Sequence, residues 1–180
     1  MDNQRKRRAF FSVWHKKWNG RDIVEIARLL VLKGWEIEAS GGTCKHLRNG
    51  GIVCLDIADR VGEPILGHRV VTLSREFMAG LLAKDTLEDN IELAKHGIPR
   101  IDMVVCNLYP LTEEIAKVGA TREDVIEKTD IGGPSMIRAA AKGRRIVVSS
   151  PDCYGEVIAW LEAGCPNEEA FITEGVAKAE

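Results

Sequence analysis

The most constraining feature of the sequence is a nearly continuous apolar run from Asp102 to Tyr109, which Pro110 ends. Strands that are covered on both faces have this composition, whereas half-exposed strands alternate apolar and polar residues. The run therefore predicts a central parallel strand in an α/β sheet. It places Asn107 and Tyr109 at the carboxyl end of that strand, the edge where ligands bind in open α/β sheets. From the strand alone, a half-buried tyrosine with a satisfied hydroxyl is an equally good interpretation of Tyr109.

Strands and helices alternate along the rest of the chain. A short buried strand is predicted at Ala9 to Trp14, followed by a helix that Asp22 caps and by an alternating strand at Trp35 to Ala39. A further strand is predicted at Gly51 to Ile57, and another at Arg144 to Ser150. This order predicts an α/β fold with a mainly parallel sheet and helices on both faces.

Length, composition and charge limit the classes of function. The 180 residues are interpreted as one domain, 1–180, with a basic arm at 1–8 and a helical tail at 165–180. A net charge of −2 argues against general nucleic-acid binding despite the basic arm. The five cysteines lack metal-site or disulfide spacing, which favours a reducing compartment. With no apolar run near the ~20 residues of a membrane span and no signal peptide, we expect a cytoplasmic protein.

The turn Ser40-Gly41-Gly42-Thr43 lies between a predicted strand and a short helical stretch. Two hydroxyls and several unobstructed backbone N–H groups are the components of a phosphate site. An ordinary tight turn with a threonine cap explains the same residues. The turn alone does not separate these alternatives.

A second glycine turn, Asp130-Ile131-Gly132-Gly133, precedes a run of helix formers that ends at Lys142. Such a turn presents free backbone N–H groups beside a carboxylate, the arrangement of an oxyanion or phosphate site. The alternative is a capped amphipathic helix with a solvated basic face formed by Arg138 and Lys142. The pattern is compatible with both an anion site and a capped helix.

Four motifs occur in an order that resembles one known family. They are Ala39-Ser40-Gly41-Gly42-Thr43, Cys106-Asn107-Leu108-Tyr109-Pro110, Asp130-Ile131-Gly132-Gly133 and Arg138-Ala139-Ala140-Ala141-Lys142. From about residue 7 to about residue 163, the chain resembles the IMP cyclohydrolase domain of the bifunctional AICAR transformylase/IMP cyclohydrolase (PurH) family. The sequence stops near the junction with that family's transformylase domain. The resemblance implies a methylglyoxal-synthase-like fold and a hydrolase-class enzyme.

The implied reaction is ring closure of 5-formamidoimidazole-4-carboxamide ribonucleotide (FAICAR) to inosine monophosphate (IMP) with release of water, the last step of de novo purine biosynthesis. The resemblance also implies no metal or organic cofactor, a small-molecule nucleotide as substrate and a homodimer. Neither a nucleic acid nor a membrane is an expected partner.

The resemblance assigns site residues by motif. The catalytic residues it implies are Tyr109, Asp130 and Lys142. The substrate-binding residues it implies are Ser12, Lys16, Ser40, Gly41, Gly42, Thr43, Arg69, Thr72, Asn107, Ile131, Gly132 and Gly133. The chemistry agrees, because a carboxamide nitrogen attacks a formyl carbon, and backbone N–H groups can receive the charge that grows on the formyl oxygen.

Two stretches depart from the family pattern. Where the family has a catalytic lysine and a His-Pro pair, this chain has Val71 and Ser74-Arg75. Loss of a charged donor typically costs about 10²- to 10³-fold in rate, and His68 and Arg75 are candidate replacements. The first turn also differs, with Trp14-His15 in place of Ser-Asp. The alternative function is therefore a purine-nucleotide-binding paralogue with weak or no catalysis; another phosphorylated substrate for the same fold is a third possibility.

Overall fold

The structure, a computed structural model, describes residues 5–67 and 69–180. Residues 1–4 of the predicted basic arm and His68, a candidate replacement cation, lie outside the described ranges. The strands are β1 (Arg8–Val13), β2 (Lys17–Trp18), β3 (Arg21–Asp22), β4 (Glu36–Ala39), β5 (Leu55–Asp56), β6 (Met103–Asn107) and β7 (Ile146–Val148). The helices are α1 (Ile23–Leu32), α2 (Gly41–Asn49), α3 (Ala58–Val61), α4 (Arg75–Leu82), α5 (Leu87–Lys95), α6 (Leu111–Ala116), α7 (Arg122–Glu127), α8 (Gly132–Lys142), α9 (Tyr154–Glu162) and α10 (Glu168–Ala179).

β1 lies at the centre of a five-stranded sheet in the order β5-β4-β1-β6-β7, and every neighbouring pair in that sheet is parallel. The short strands β2 and β3 form a separate antiparallel hairpin between β1 and α1. The predicted α/β fold with a parallel sheet is confirmed, and the apolar run at Asp102 to Tyr109 forms the inner strand β6.

The strand order creates a switch point beside β1. The chain winds outward from β1 through β4 to β5, then crosses to the other side of β1 to form β6 and β7. In sheets of this kind ligands bind in the crevice at the carboxyl ends of the strands, where the winding reverses. The register brings Ser12 beside Cys106 and Val13 beside Asn107 at that edge.

Successive side chains of β1 enter two apolar clusters on opposite faces of the sheet. Ala9 and Phe11 belong to the cluster that includes residues of α1 and α9. Phe10 belongs to the cluster that includes residues of α4 and α8. This alternation between two cores is the pattern of a strand that is buried on both faces. It confirms that helices cover both sides of the sheet.

α1 begins at the predicted cap. Asp22 accepts a hydrogen bond from the Val24 amide at 2.9 Å, and Glu25 accepts one from the Asp22 amide at 2.9 Å, which completes a capping box. Asp22 Oδ1 also lies 2.9 Å from His46 Nε2 in α2. The cap therefore links the first two helices.

Two predicted elements differ in extent. The strand predicted from Gly51 to Ile57 is only the two residues of β5, because the Ile52 amide donates to the Leu47 carbonyl and closes the end of α2 instead. α2 begins at Gly41, so Gly41 and Gly42 lie in its first turn and not in a turn before it.

The predicted helical tail forms α10, which packs against β7 and α8. Gly175 is at the closest approach, because a Cβ atom at that position would lie 2.7 Å from the Val147 carbonyl oxygen. A larger residue would force α10 away from the strand. Within residues 5–67 and 69–180, no helix combines the length and apolar content that crossing a membrane requires.

Candidate functional site

Three hydroxyl groups meet where β1 and β4 end. Ser12 Oγ and Ser40 Oγ are 3.0 Å apart, and Ser40 Oγ is 3.4 Å from Thr43 Oγ1. Thr43 is buried, and its hydroxyl oxygen accepts a hydrogen bond from the Val13 amide at 3.2 Å. These contacts join two strand ends and fix the hydroxyls at the carboxyl edge of the sheet.

The hydroxyl cluster stands beside the N-terminus of α2. Gly41 and Gly42 are exposed there, and the first amides of a helix have no acceptor inside the helix. Amides of this kind bind phosphate oxygens. A Cβ atom on Gly41 would lie 3.5 Å from Asp56 Oδ2, so one carboxylate borders the same turn. The structure thus brings together five of the predicted binding residues, namely Ser12, Ser40, Gly41, Gly42 and Thr43.

Asp130 closes the N-terminus of α8. Its Oδ1 accepts a hydrogen bond from the Gly133 amide at 2.8 Å. A Cβ atom on Gly133 would lie 2.6 Å from Asp130 Oδ2 and 2.5 Å from Leu108 Cδ2, so only glycine permits this approach. The Gly133 amide is engaged by Asp130, and the amides of Ile131 and Gly132 are therefore the ones available to an anion at this turn.

The segment between α3 and α4 reaches the turn that carries Asp130. Thr72 is buried, and its Oγ1 would lie 3.2 Å from a Cβ atom on Gly132. The neighbouring Val71 packs against the apolar cluster that includes Phe10. This places Thr72 beside the Asp130 turn, while Val71 contributes apolar contacts and no charge.

Tyr109 lies close to Asp130, directly after β6. Burial raises the pKa of the Tyr109 phenol, and the negative charges of Asp130 and Glu127 raise it further. The phenol is therefore protonated at neutral pH and can donate a hydrogen bond or a proton. A protonated phenol beside a carboxylate is a pair that can serve as acid and base.

Sequence reasoning missed two residues beside Tyr109. The Trp14 ring meets the Tyr109 ring edge to face, with centroids 5.4 Å apart. The Lys128 ammonium lies 4.2 Å from the centroid of the Trp14 ring and 5.7 Å from that of Tyr109. The departure from the family pattern at Trp14 was a visible signal, whereas no pattern in the sequence pointed to Lys128.

The side-chain amide of Asn107 forms hydrogen bonds with the loop after β1. Its Oδ1 accepts from the amides of Trp14 and His15 at 2.9 and 2.8 Å, and its Nδ2 donates to the Tyr154 hydroxyl at 2.7 Å. The residue is buried. In this arrangement Asn107 shapes the site through the loop it holds, and its contact with substrate stays a prediction.

Two cationic side chains that were predicted to bind substrate donate hydrogen bonds to backbone carbonyls of the protein. Lys16 Nζ donates to the carbonyls of Val13 and Trp14 at 2.8 and 3.1 Å, and burial lowers its pKa. Arg69 is exposed, and its Nε donates to the Leu66 carbonyl at 2.8 Å. A substrate would have to replace these contacts to use either side chain.

Lys142 lies at the opposite end of α8 from Asp130. Lys142 comes ten positions after Gly132 in this helix, a rise of about 15 Å. Lys142 is exposed and lines a surface groove with Arg138 and Glu180. The structure of the single chain therefore does not bring Lys142 to Tyr109, and its catalytic role stays a prediction from the resemblance.

Among residues 5–67 and 69–180, no cluster of three or more His, Cys, Asp or Glu side chains is arranged to hold a metal ion. The polar groups gathered at the site are hydroxyls, helix amides, the Tyr109 phenol and the Asp130 carboxylate.

Comparison with known proteins gives consistent matches. A family model described as the MGS-like domain matches residues 22–135. The chain is 41% identical over 161 residues to the bifunctional purine biosynthesis protein PurH of Rhodopirellula baltica and 43% identical over 161 residues to that of Aquifex aeolicus. Each match covers 87% of this chain but 31% of the relative, so the chain spans about a third of the length of these curated proteins.

A solved structure, the crystal structure of ForH, is also similar. It shares 38% sequence identity with this chain at a TM-score of 0.79. The superposition covers 96% of this chain and 89% of the ForH chain. The likeness therefore extends over nearly the whole of both chains.

Proposed function

Since the chain belongs to the family of MGS-like domains and resembles the corresponding part of PurH, we propose that it is an IMP cyclohydrolase of purine biosynthesis. In this proposal it closes the ring of FAICAR to give IMP and water. The observation that carries the proposal is that the Asp130 carboxylate, which accepts from the Gly133 amide at 2.8 Å, lies near enough to Tyr109 for its charge to help raise the pKa of the phenol.

The first part of the proposed site binds the ribose phosphate. The hydroxyls of Ser12, Ser40 and Thr43 and the first amides of α2 supply donors to phosphate oxygens. This places the phosphate on the β4 side of β1. The purine precursor then extends across the carboxyl end of β1 towards β6, where the reacting groups lie.

The second part of the proposed site performs the ring closure. The carboxamide nitrogen attacks the formyl carbon, a C–N bond forms, and the electron pair of the carbonyl moves onto the formyl oxygen. Asp130 accepts a hydrogen bond from the carboxamide and orients its nitrogen, and Tyr109 donates to the developing oxyanion. The carboxamide nitrogen and the formamido nitrogen each lose one proton, Asp130 and Tyr109 transfer these two protons to the oxygen, and the C–O bond breaks as the C=N bond forms, which releases water. Holding both ends of one molecule in place supplies much of the rate.

The alternative proposal is a purine-nucleotide-binding protein with weak or no catalysis. One observation favours it, namely Val71 at the position of the family's catalytic lysine, where it packs into an apolar cluster. One assay separates the two proposals: purified protein is mixed with FAICAR, and IMP formation is followed. Turnover above the uncatalysed rate supports the enzyme, whereas IMP binding without turnover supports the binding protein.

A matched variant tests the proposed role of Asp130. Asp130→Asn keeps an oxygen that can accept from the Gly133 amide but removes the negative charge. We expect kcat to fall about 10²-fold, the scale of losing a general acid–base group. Asp59→Asn, an equal charge change at an exposed position of α3, serves as the control. Equal activities of the two variants would contradict the assignment.

We also propose a homodimer in the cytoplasm. Exposed aliphatic side chains on and near α6 and α7, namely Ile115, Val118, Ile126 and Ile131, support self-association of this part of the surface. Light scattering on purified protein measures the mass in solution. A mass of one chain at micromolar concentration contradicts the dimer.

A further inference from the structure

The position of the family's catalytic lysine carries no charge in this protein, and the other predicted cations have different contacts or positions in the single chain. Val71 packs into an apolar cluster. The Lys16 ammonium bonds to backbone carbonyls of its own loop, and Arg69 bonds to the Leu66 carbonyl. Lys142 is at the far end of α8. A lysine outside the predicted site does contact the Tyr109 ring within the described structure.

This lysine is Lys128. It directly follows α7 and precedes Asp130 by two residues. Its ammonium lies 5.7 Å from the centroid of the Tyr109 ring. Within the part of the chain that the structure describes, no carboxylate forms an ion pair with Lys128. Beside the Thr121 hydrogen bonds, the charge of Lys128 helps to lower the pKa of the Asp124 carboxylate, but that carboxylate is not within ion-pair distance of the ammonium.

Trp14 explains how this lysine is held. The Lys128 ammonium lies 4.2 Å from the centroid of the Trp14 ring, within the range of a cation–π interaction. The Trp14 ring in turn contacts the Tyr109 ring at 5.4 Å. Trp14 is 39% exposed, so these contacts cover it only in part. The two departures from the family pattern are thus related, because the lysine is absent at Val71 and the ring of Trp14 contacts a different lysine.

We propose that Lys128 is a catalytic residue that replaces the family's missing lysine by donating to the formyl oxygen, and that Trp14 is its positioning residue. This inference rests on the proposed cyclohydrolase function. As the C–N bond forms, the formyl oxygen gains the carbonyl electron pair, and the ammonium of Lys128 donates a hydrogen bond to it. Lys128 acts only as a hydrogen-bond donor. Asp130 takes one proton from the attacking carboxamide nitrogen and passes it to the departing oxygen, while Tyr109 gives its proton to the same oxygen and regains one from the formamido nitrogen as the C=N bond forms, so that the oxygen leaves as water.

Steady-state kinetics with FAICAR test the assignment of Lys128. In Lys128→Met, which keeps the chain length but removes the charge, we expect kcat to fall about 10²-fold while KM stays within about threefold. Lys128→Arg retains the charge and the cation–π contact, so it should keep at least a tenth of the activity. Lys117→Met removes a charge from an exposed lysine that pairs with Glu114, and it serves as the control.

A double-mutant cycle tests the positioning role of Trp14. We expect Trp14→Ala to lower kcat about tenfold and Trp14→Phe to lower it less, because phenylalanine retains a ring face. In the Lys128→Met background, Trp14→Ala should have little further effect, since the residue it positions is already gone. Circular dichroism and thermal melts confirm that each variant is folded.

The outcomes separate this inference from the proposed function. If the wild type converts FAICAR to IMP and Lys128→Met stays within threefold of its kcat, only the assignment of Lys128 falls. If Lys128→Met loses activity but the effects of Trp14→Ala and Lys128→Met multiply, the positioning role of Trp14 is overturned. If the wild type shows no turnover, the cyclohydrolase proposal and this inference fall together.

Discussion

Asn107 illustrates how one buried amide shapes the rim of the site. Its three strong hydrogen bonds join the end of β6 to the amides of Trp14 and His15 and to the hydroxyl of Tyr154. The Tyr154 hydroxyl donates onward to the His15 carbonyl at 2.6 Å. Buried polar groups that lose their partners cost considerably more than a hydrogen bond gains. The loop after β1 is thus held by Asn107 and Tyr154, together with the Lys16 contacts to two of its backbone carbonyls.

We expect Asn107→Ala to lower the free energy of unfolding by about 2–4 kcal/mol, because it leaves two amides and a hydroxyl without their partner. Urea titration followed by circular dichroism measures the loss. Asn107→Asp retains the acceptor for both amides and should cost less. If the two variants lost equal stability, the amide contacts would not be the source of the effect.

Gly133 is the second residue on which the site depends. In Gly133→Ala the added methyl would overlap with the side chains of Asp130 and Leu108, at 2.6 and 2.5 Å. We expect a loss of about 1–3 kcal/mol in the free energy of unfolding, because backbone or side chains must shift to accept it. Asp130 is displaced by the same methyl, so catalytic activity should fall as well.

The control for Gly133→Ala is Gly155→Ala. Gly155 lies in α9 and is exposed, and a Cβ atom added there would have no neighbouring atom within 4 Å. Alanine there should raise the free energy of unfolding by up to about 1 kcal/mol, because it restricts the unfolded chain and favours helix. Chemical denaturation of both variants gives opposite signs if packing at Gly133 is the cause.

At the scale of elements, the position of α1 depends on its cap. Asp22 accepts from the Val24 amide and pairs with His46 on α2 and with Lys17 on β2. Although burial raises the pKa of Asp22, the Val24 amide and the His46 and Lys17 contacts lower it below its ordinary value. The cap therefore favours the ionised carboxylate in the folded protein.

We expect Asp22→Ala to cost about 1 kcal/mol of unfolding free energy at pH 7, the usual value for an N-cap. Since the folded pKa of Asp22 is lowered, its contribution is present above the unfolded pKa of about 3.9 and is lost as pH falls through the folded pKa. Guanidinium titrations at pH 7 and at about pH 2.5 should show a smaller difference between wild type and variant at acid pH. An equal difference at both pH values would contradict this linkage.

At the scale of the whole molecule, a buried thiol and a buried phenol make the free energy of unfolding depend on pH in the alkaline range. Burial raises the pKa of the Cys106 thiol, and the charge of Asp130 raises it further. Burial also raises the pKa of Tyr154, although its hydrogen bond with Asn107 opposes the shift. Above about pH 8.5 a cysteine in the unfolded chain loses its proton, whereas Cys106 in the folded protein keeps it. The unfolded state then binds fewer protons, so stability falls as pH rises.

We therefore expect the free energy of unfolding to decline between about pH 8.5 and pH 11. Cys106→Ala should reduce this slope by up to about 1.4 kcal/mol per pH unit, the contribution of one proton. Urea titrations in reducing buffer at several pH values measure the slope. The matched variant Cys165→Ala, at a less buried thiol, should change it less. Identical slopes for wild type and Cys106→Ala would refute this account.

The sequence predicted the sheet and the approximate starts of α2 and α8 because local patterns determine them, although both glycine pairs lie inside the first helical turn. The apolar run of β6 and the cap at Asp22 are readable one element at a time, and both appear in the structure. The separation of Lys142 from Asp130 is also local, since it follows from the length of α8. Lys128 beside Trp14 depends on how α7 packs against the loop after β1, a contact between residues 114 positions apart. Long-range packing of this kind leaves no periodic signal in a sequence.

The approach of α10 to β7 has a consequence for solubility. β7 is an outer strand of the sheet, and such strands present unpaired backbone groups that can template pairing with another chain. Because Gly175 brings α10 against the backbone of Val147, the helix shields this strand from a second copy. We therefore expect α10 to hinder pairing of β7 with another chain, and the close packing of this helix requires a residue without a Cβ atom at position 175.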